Sequence, residues 1–195
     1  MNYLLDIMGS TLIAGIVFLL IFKMNIYTSN ANYYSDNELK LQQNVKTLAE
    51  VLNYDFRKIG YKYDGTAIVT AEPTRIKFYA DLEAPGSYGH GTVDFVEYYL
   101  GDSTEASGTT NLRDKVLYRI VNNTDTLGGP TLGLVDLRFS YLDSYGLPTA
   151  FLDSIKYVKA EFWVEPNEFV SEYLSSQPDS NQFTYWELTI NPRNL

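Results

Sequence analysis

The chain has 195 residues, 45% of them hydrophobic, which suffices for one core-forming domain and argues against global disorder. Its net charge is -9, and residues 61–195 carry the whole deficit, so it lacks the clustered Lys and Arg that bind nucleic acid. There is no cysteine, which excludes disulfides, thiolate metal sites and cysteine nucleophiles.

The first predicted element is an apolar helix. Residues 10–22 read STLIAGIVFLLIF, carry no charge and end at Lys23. Extended back to Tyr3, with Asp6 as the one interruption, the segment reaches the roughly 20 residues that a helix needs to cross a bilayer. We therefore predict a membrane-anchoring helix in residues 1–32. A cleaved signal peptide is the alternative, but such peptides start with a basic region, and no Lys or Arg stands before this segment.

An amphipathic helix is predicted to continue the first one over residues 33–60. Apolar residues recur there at spacings of three and four, which places one stripe on a helix. The stripe consists of Leu41, Val45, Leu48, Leu52, Phe56 and Ile59. No proline interrupts the chain before Pro73, so one helix of about 80 Å is expected from Asp6 to Ile59. Its weakest stretch is Thr28–Asp36, and Gly60 is a typical C-terminal stop.

Beyond Gly60 the pattern changes to a period of two with β-branched and aromatic residues, which predicts strands. Seven strands are expected, at residues 67–70, 75–82, 93–100, 115–121, 134–142, 155–165 and 183–190. Turn-rich connections include 84–91, 101–111, 122–130 and 175–182, and 167–174 is a candidate short helix. Because the strands have one apolar face, the predicted class is α+β, a long hydrophobic helix packed on an antiparallel β-sheet in a head domain of residues 33–195.

This order of elements resembles type IV pilins and the pseudopilins of type II secretion, in particular their larger minor subunits. The resemblance rests on Leu39–Lys62 (LKLQQNVKTLAEVLNYDFRKIGYK), where Asp, Arg and Gly follow an amphipathic run, and on the order of the strands. It implies a single-pass helix in the inner membrane and a periplasmic or extracellular head, at the cell surface once assembled. The implied partners are membrane lipid before assembly, other pilin-like subunits, the inner-membrane assembly machinery and a prepilin peptidase.

The processing motif of that family is matched in part. Family members show G-F-T-L-x-E and are cut after the glycine, whereas residues 9–14 here read GSTLIA. The resemblance makes Gly9 and Ser10 the candidate processing site. Ala14 replaces the glutamate that in the family pairs with the N-terminal amine of a neighbouring subunit, so this buried pair cannot form. A subunit without that acid fits a filament tip or a divergent filament, and where the N-terminus is retained Asp6 can replace the acid.

Assembly of such a subunit would depend on its apolar helix. Helices associate in an apolar environment through close packing and small residues. The predicted assembly residues are Ala14, Gly15, Val17, Phe18 and Phe22.

No catalytic or cofactor site is predicted, and the chain is not expected to be an enzyme. His90, the one histidine, is expected to be a solvated loop residue, and no nucleophile elbow or phosphate-binding loop occurs. Asp102 and Glu105 are weak candidates for a calcium loop, with a soluble turn as the alternative.

Four acids on predicted strands are expected to line a solvent face rather than to form a general acid–base pair. They are Asp94, Glu97, Glu161 and Glu165.

Two functions therefore stay open. The first is a structural subunit of a type IV pilus-like filament or a type II secretion pseudopilus. The second is a membrane-tethered binding or sensing domain that acts as a monomer. Ala14 favours the second, whereas the direct passage from the apolar helix into Lys40–Ile59 favours the first, because a tethered domain usually follows a flexible linker.

Overall fold

A computed structural model describes residues 2–83, 85–109, 111–123, 125–128, 132–166 and 183–195. One helix, α1, spans Asn2–Phe56. The described residues form the strands β1 (Ile68–Glu72), β2 (Arg75–Ala80), β3 (Asp94–Leu100), β4 (Leu117–Val121), β5 (Asp125–Gly128), β6 (Leu134–Leu142), β7 (Tyr157–Val164) and β8 (Thr184–Ile190). The chain divides into two compact units, one up to Lys40 and one from Leu41 to Leu195. The predicted functional boundary between residues 32 and 33 stays a prediction.

The first unit is helical throughout its described residues, including Thr28–Asp36, where the sequence predicted the weakest helix. Strong helix formers flank this stretch, and each added residue gains a backbone hydrogen bond without a new nucleation step. The hydroxyl of Thr28 donates to the carbonyl of Met24 at 2.9 Å, so this polar side chain is satisfied within the helix.

The second unit contains two antiparallel sheets rather than the single sheet that the sequence predicted. One has five strands in the order β1-β2-β3-β4-β5, and the other has three in the order β6-β7-β8. Where they adjoin, the amide of Phe139 on β6 donates to the carbonyl of Pro73 at 2.6 Å, and the hydroxyl of Tyr141 donates to that of Glu72 at 2.9 Å. The predicted α+β class is confirmed.

All seven predicted strands occur, and β5 is an additional one. The sequence assigned residues 122–130 to a turn because they are rich in Asn, Thr and Gly. This short edge strand forms through antiparallel pairing with β4, in which Val121 is opposite Asp125. The candidate helix at 167–174 and the turn at 175–182 lie outside the described residues.

The core of the second unit lies between the last turns of α1 and the inner faces of both sheets. All six residues of the predicted stripe are buried. Phe56 is fully buried and its ring lies 5.8 Å from that of Phe78 and 5.5 Å from that of Tyr98, both in the five-stranded sheet. It also lies 5.7 Å from the ring of Phe139 in the three-stranded sheet. One side chain of α1 thus contacts both sheets.

The helix ends three residues earlier than predicted, at Phe56, and turns follow. Gly60 has φ 77°, and its amide donates to the carbonyl of Tyr79 at 2.9 Å. A Cβ on this residue would lie 2.7 Å from the carbonyl oxygen of Asn194. Both the backbone conformation and this close approach therefore require glycine.

Candidate assembly helix and buried polar sites of the head domain

Among the described residues, α1 is the one helix that is long and apolar enough to cross a membrane, and none of its apolar window is buried within the chain. Large side chains such as Phe18, Leu19 and Phe22 are more than half exposed. A helix that is apolar all round needs lipid or other protein around it.

The polar side chains of this apolar stretch form hydrogen bonds within their own helix. Ser10 and Thr11 each donate a hydroxyl hydrogen bond to the carbonyl of Ile7 at 3.0 Å. Between residues 2 and 35 the charged side chains are Asp6 and Lys23, and both are exposed. The surface of the helix between these two charges is therefore suited to an apolar environment.

The predicted assembly residues lie on one side of α1. At about 100° per residue, Ala14, Gly15, Val17, Phe18 and Phe22 fall within about 160° of the helix circumference. All five are exposed, and a Cβ at Gly15 would have no neighbouring atom within 4 Å. The side they share combines small residues with two phenylalanine rings, which suits close packing against another helix.

The candidate processing site lies inside α1. Gly9 and Ser10 are both helical and exposed, and nothing lies within 4 Å of a Cβ built on Gly9. No described part of the chain therefore covers this peptide bond.

His90 is half-buried rather than solvated, which corrects the expectation from the sequence. Its Nε2 atom lies 2.9 Å from Nζ of Lys62, and its Nδ1 atom lies 3.4 Å from Oδ2 of Asp81. Asp81 is fully buried. Burial raises the pKa of Asp81, but hydrogen bonds from Lys62 and the amide of Gly91 outweigh it and lower the pKa below its usual value. His90 therefore belongs to a charge cluster that holds its loop in place.

Three of the four acids that were expected on a solvent face are buried, namely Asp94, Glu97 and Glu165. Each has partners from distant parts of the chain. Glu97 pairs with Arg75 and with Lys77, whose Nζ lies 3.1 Å away. Asn122 donates to Asp94 at 2.8 Å, and Arg113 lies 2.8 Å from Glu165. Partners this distant in the sequence meet only in the folded chain, so the acids looked solvent-exposed in the sequence.

A further buried cluster at the end of α1 was missed by sequence reasoning. Asp55 is buried, and its Oδ2 atom accepts hydrogen bonds from Nε of Arg119 at 2.6 Å and from the hydroxyl of Tyr98 at 2.5 Å. Burial and the neighbouring Asp55 raise the pKa of Tyr98 well above its ordinary value. The Asp55–Arg119 ion pair and the hydrogen bond from the neutral phenol of Tyr98 thus connect α1 to the five-stranded sheet.

The two acids considered for calcium lie at a short 3₁₀ turn and contact residues of the chain itself. Asp102 caps the short 3₁₀ turn Ser103–Glu105 by accepting from the amide of Thr104 at 3.0 Å, and these hydrogen bonds lower its pKa. A hydrogen bond to Glu105 raises the pKa of Tyr118. Among the described residues no group of three or more His, Cys, Asp or Glu side chains is arranged to hold a metal ion.

No protein-family model matches the chain, and no curated protein does. Among solved structures, a type IV-like pilin from Thermus thermophilus is similar, with a TM-score of 0.52 over 80% of this chain and 98% of that chain. The chain has a type IV pilin-like fold. Sequence identity to that pilin is 12%, so the similarity between the two proteins is one of fold alone. The long apolar N-terminal helix of this chain is consistent with a single-pass membrane anchor.

Proposed function

We propose that this pilin-like chain is a structural subunit of a type IV pilus-like filament or a type II secretion pseudopilus, and that it is not an enzyme. The observation that carries the proposal is the wholly exposed apolar part of α1, in a chain whose second unit has its own closed core. An exposed apolar helix of this length needs lipid first and other apolar helices after assembly. The partners are accordingly other pilin-like subunits, delivered by the inner-membrane assembly machinery.

Before assembly the subunit lies in the cytoplasmic membrane with one span, and its head is periplasmic or extracellular. After assembly the head is displayed at the cell surface or within the periplasm, according to the system that it serves. The five predicted assembly residues, from Ala14 to Phe22, then contact neighbouring helices.

Gly9 and Ser10 remain the candidate site for a prepilin peptidase. Intact mass of the chain from membranes tests this directly. Cleavage gives a chain that starts at Ser10, and Gly9→Leu then blocks maturation. A mass that includes residues before Gly9 shows that the segment with Asp6 is retained.

The runner-up is a membrane-tethered binding or sensing domain that acts as a monomer, and Ala14 is the observation that favours it. The two functions predict different distributions at the cell surface. Immunogold electron microscopy with antibody against the head should label filaments, along their length or at their tips. Uniform label on the membrane of cells that make no filament containing this chain would favour the tethered monomer.

A further inference from the structure

The loop between β6 and β7, residues 143–156, presents three large apolar side chains to solvent. Tyr145 is 87% exposed, Leu147 is 61% exposed and Phe151 is 77% exposed, and we name these three residues the apolar triad. Other apolar residues of the same loop do enter the core, since Ile155 is buried and Leu152 packs partly buried against the core. The exposure of the triad therefore follows from the path of the loop and not from the lack of a nearby core.

The first half of the loop forms its hydrogen bonds internally. The Oδ1 atom of Asp143 accepts from the amides of Tyr145 and Leu147 at 2.8 and 2.9 Å. The amide of Asp143 donates to the carbonyl of Leu147 at 2.9 Å, and the amide of Gly146 donates to the carbonyl of Asp143 at 3.1 Å. Pro148 has no amide hydrogen. Because these polar groups already have partners, the turn can enter an apolar environment without losing hydrogen bonds to water.

The second half of the loop is arranged in the same way. The amide of Thr149 donates to the carbonyl of Tyr141 at 2.9 Å, and the amide of Phe151 donates to the hydroxyl of Thr149 at 3.2 Å. The carboxylate of Asp153 accepts from the hydroxyl of Thr66 at 2.6 Å. No Lys or Arg lies between residues 139 and 155, so this stretch offers no cation to an anionic partner.

The area of the triad fits a lipid bilayer better than a second copy of the chain. An aromatic side chain buries roughly 150–250 Å², so the three side chains together expose on the order of 400 Å². A stable protein interface needs about 800 Å² on each partner. A bilayer requires no matching surface, because aromatic and aliphatic side chains enter its fluid interface one by one.

We propose that the loop between β6 and β7 inserts Tyr145, Leu147 and Phe151 into the interface of a bilayer of zwitterionic lipid. The tyrosine hydroxyl stays at the headgroup level, while the phenylalanine and leucine side chains reach the acyl chains. This contact belongs to the head domain and requires no step of filament assembly. It therefore applies to a filament subunit and to a tethered monomer alike.

Because the chain has no cysteine, a single probe can report on this loop alone. The full chain with Ser144→Cys, an exposed position, is labelled with a polarity-sensitive fluorophore. It is reconstituted in phosphatidylcholine nanodiscs, which supply lipid to its apolar helix. Brominated phosphatidylcholine, which quenches the probe on contact, is placed either in the disc or in added vesicles. The proposal predicts a blue shift and quenching in at least one arm, and that arm identifies the bilayer that the loop enters.

Matched variants show whether the triad makes the contact. Combined serine substitution of Tyr145, Leu147 and Phe151 should reduce the quenching by about tenfold or more, because it removes the apolar surface that enters the lipid. Leu112→Ser removes a side chain that is 87% exposed in another loop and should leave the quenching unchanged. A probe at Ser107→Cys, also in that other loop, should show neither change. Thermal melts of all variants should agree, since none of the substituted side chains is buried.

Three results would overturn the proposal. The first is the absence of quenching in both arms. The second is quenching that requires anionic lipid and disappears at about 0.5 M salt, because that dependence indicates a charge contact. The third is a blue shift that grows with the concentration of the chain and is not quenched by lipid, which identifies a second copy as the occupant. Each result is obtained without filaments, so failure here leaves the proposed function standing.

Discussion

At the scale of single residues, Phe56 joins the helix to both sheets. Its ring packs against Phe78, Tyr98 and Phe139 with no exposure to solvent. Phe56→Ala should therefore lower the free energy of unfolding by about 3–5 kcal/mol, because the cavity opens at the junction of three elements. Urea unfolding of the full chain in detergent, followed by circular dichroism, measures this.

The matched control is Lys46→Ala at an exposed position of the same helix. Lys46 is highly exposed, and its Nζ lies 3.8 Å from Glu50 in a solvated pair. Its truncation should change stability by less than about 0.5 kcal/mol. Equal effects of the two variants would mean that this part of the helix does not pack on the sheets.

Asp114 gives the head domain a stability that depends on pH. Its carboxyl group is fully buried, and burial, together with the nearby Glu165, raises its pKa, although Thr109 lowers it in part. A raised pKa in the folded state means that stability is lost as pH rises above the ordinary value of about 4. Asp114→Asn should therefore raise the melting temperature at pH 7, and the gain should vanish below about pH 4. A gain of equal size at both pH values would contradict this assignment.

The sequence predicted apolar burial well and polar burial poorly. The six stripe residues are buried as their spacing indicated, and for the five within α1 the helical period decides which side faces the core. Glu97 and Asp55 were not expected to be buried, since their partners Arg75, Lys77 and Arg119 come from other strands. The pairing of Glu97 follows from the register of β2 and β3, and that of Asp55 from the packing of α1 on β4. The residue pattern of one element shows neither.

At the scale of elements, the long helix and seven of the strands were predictable from the sequence, but the division of the strands into two sheets was not. Strands β6 and β7 alternate so clearly that their inner faces could be assigned from the sequence, and Leu137, Val158 and Phe162 are indeed buried. The division into two sheets depends on which strands pair, and this pairing has no local signal in the sequence. The edge strand β5 was missed because its turn-forming residues become a strand only through β4.

Membrane insertion of the apolar part of α1 should be insensitive to a small change in side-chain size and sensitive to an added charge. Val17 lies near the centre of the uncharged stretch. Val17→Arg should cost about 2.5–3.5 kcal/mol of membrane insertion, because the guanidinium would lie at the middle of the bilayer. Val17→Leu is the control and should insert as wild type does. Carbonate extraction of membranes gives the inserted fraction, and normal insertion of the arginine variant would exclude a membrane-spanning role for this stretch.

At the scale of the whole molecule, the exposure of the candidate assembly residues follows from the sequence, whereas their role in assembly and their partners stay predictions. The apolar run and the small residues Ala14 and Gly15 are visible in the sequence, and they lie exposed on one side of α1. What surrounds that side depends on a second molecule, and no property of one chain determines it.

The two compact units predict a separation by solubility. A shortened chain that begins at Tyr33 keeps all of Leu41–Leu195, which holds the buried core. It should be soluble without detergent and melt cooperatively, whereas the full chain should require detergent because its apolar helix is exposed. Size-exclusion chromatography of both chains checks this, and a full chain that is monomeric in plain buffer would contradict the anchor.

Whether copies assemble through the apolar helix can be measured in the sheared surface fraction of cells that carry Gly15→Leu. A Cβ at Gly15 meets no atom of its own chain, so the substitution leaves the single subunit intact and obstructs only a neighbour. Wild type and the matched control Gly15→Ala should appear in the filament fraction. Gly15→Leu should be inserted in the membrane but absent from filaments. Equal recovery of all three chains in filaments would contradict assembly through the apolar helix. So would a wild-type chain that performs its cellular role without entering any filament.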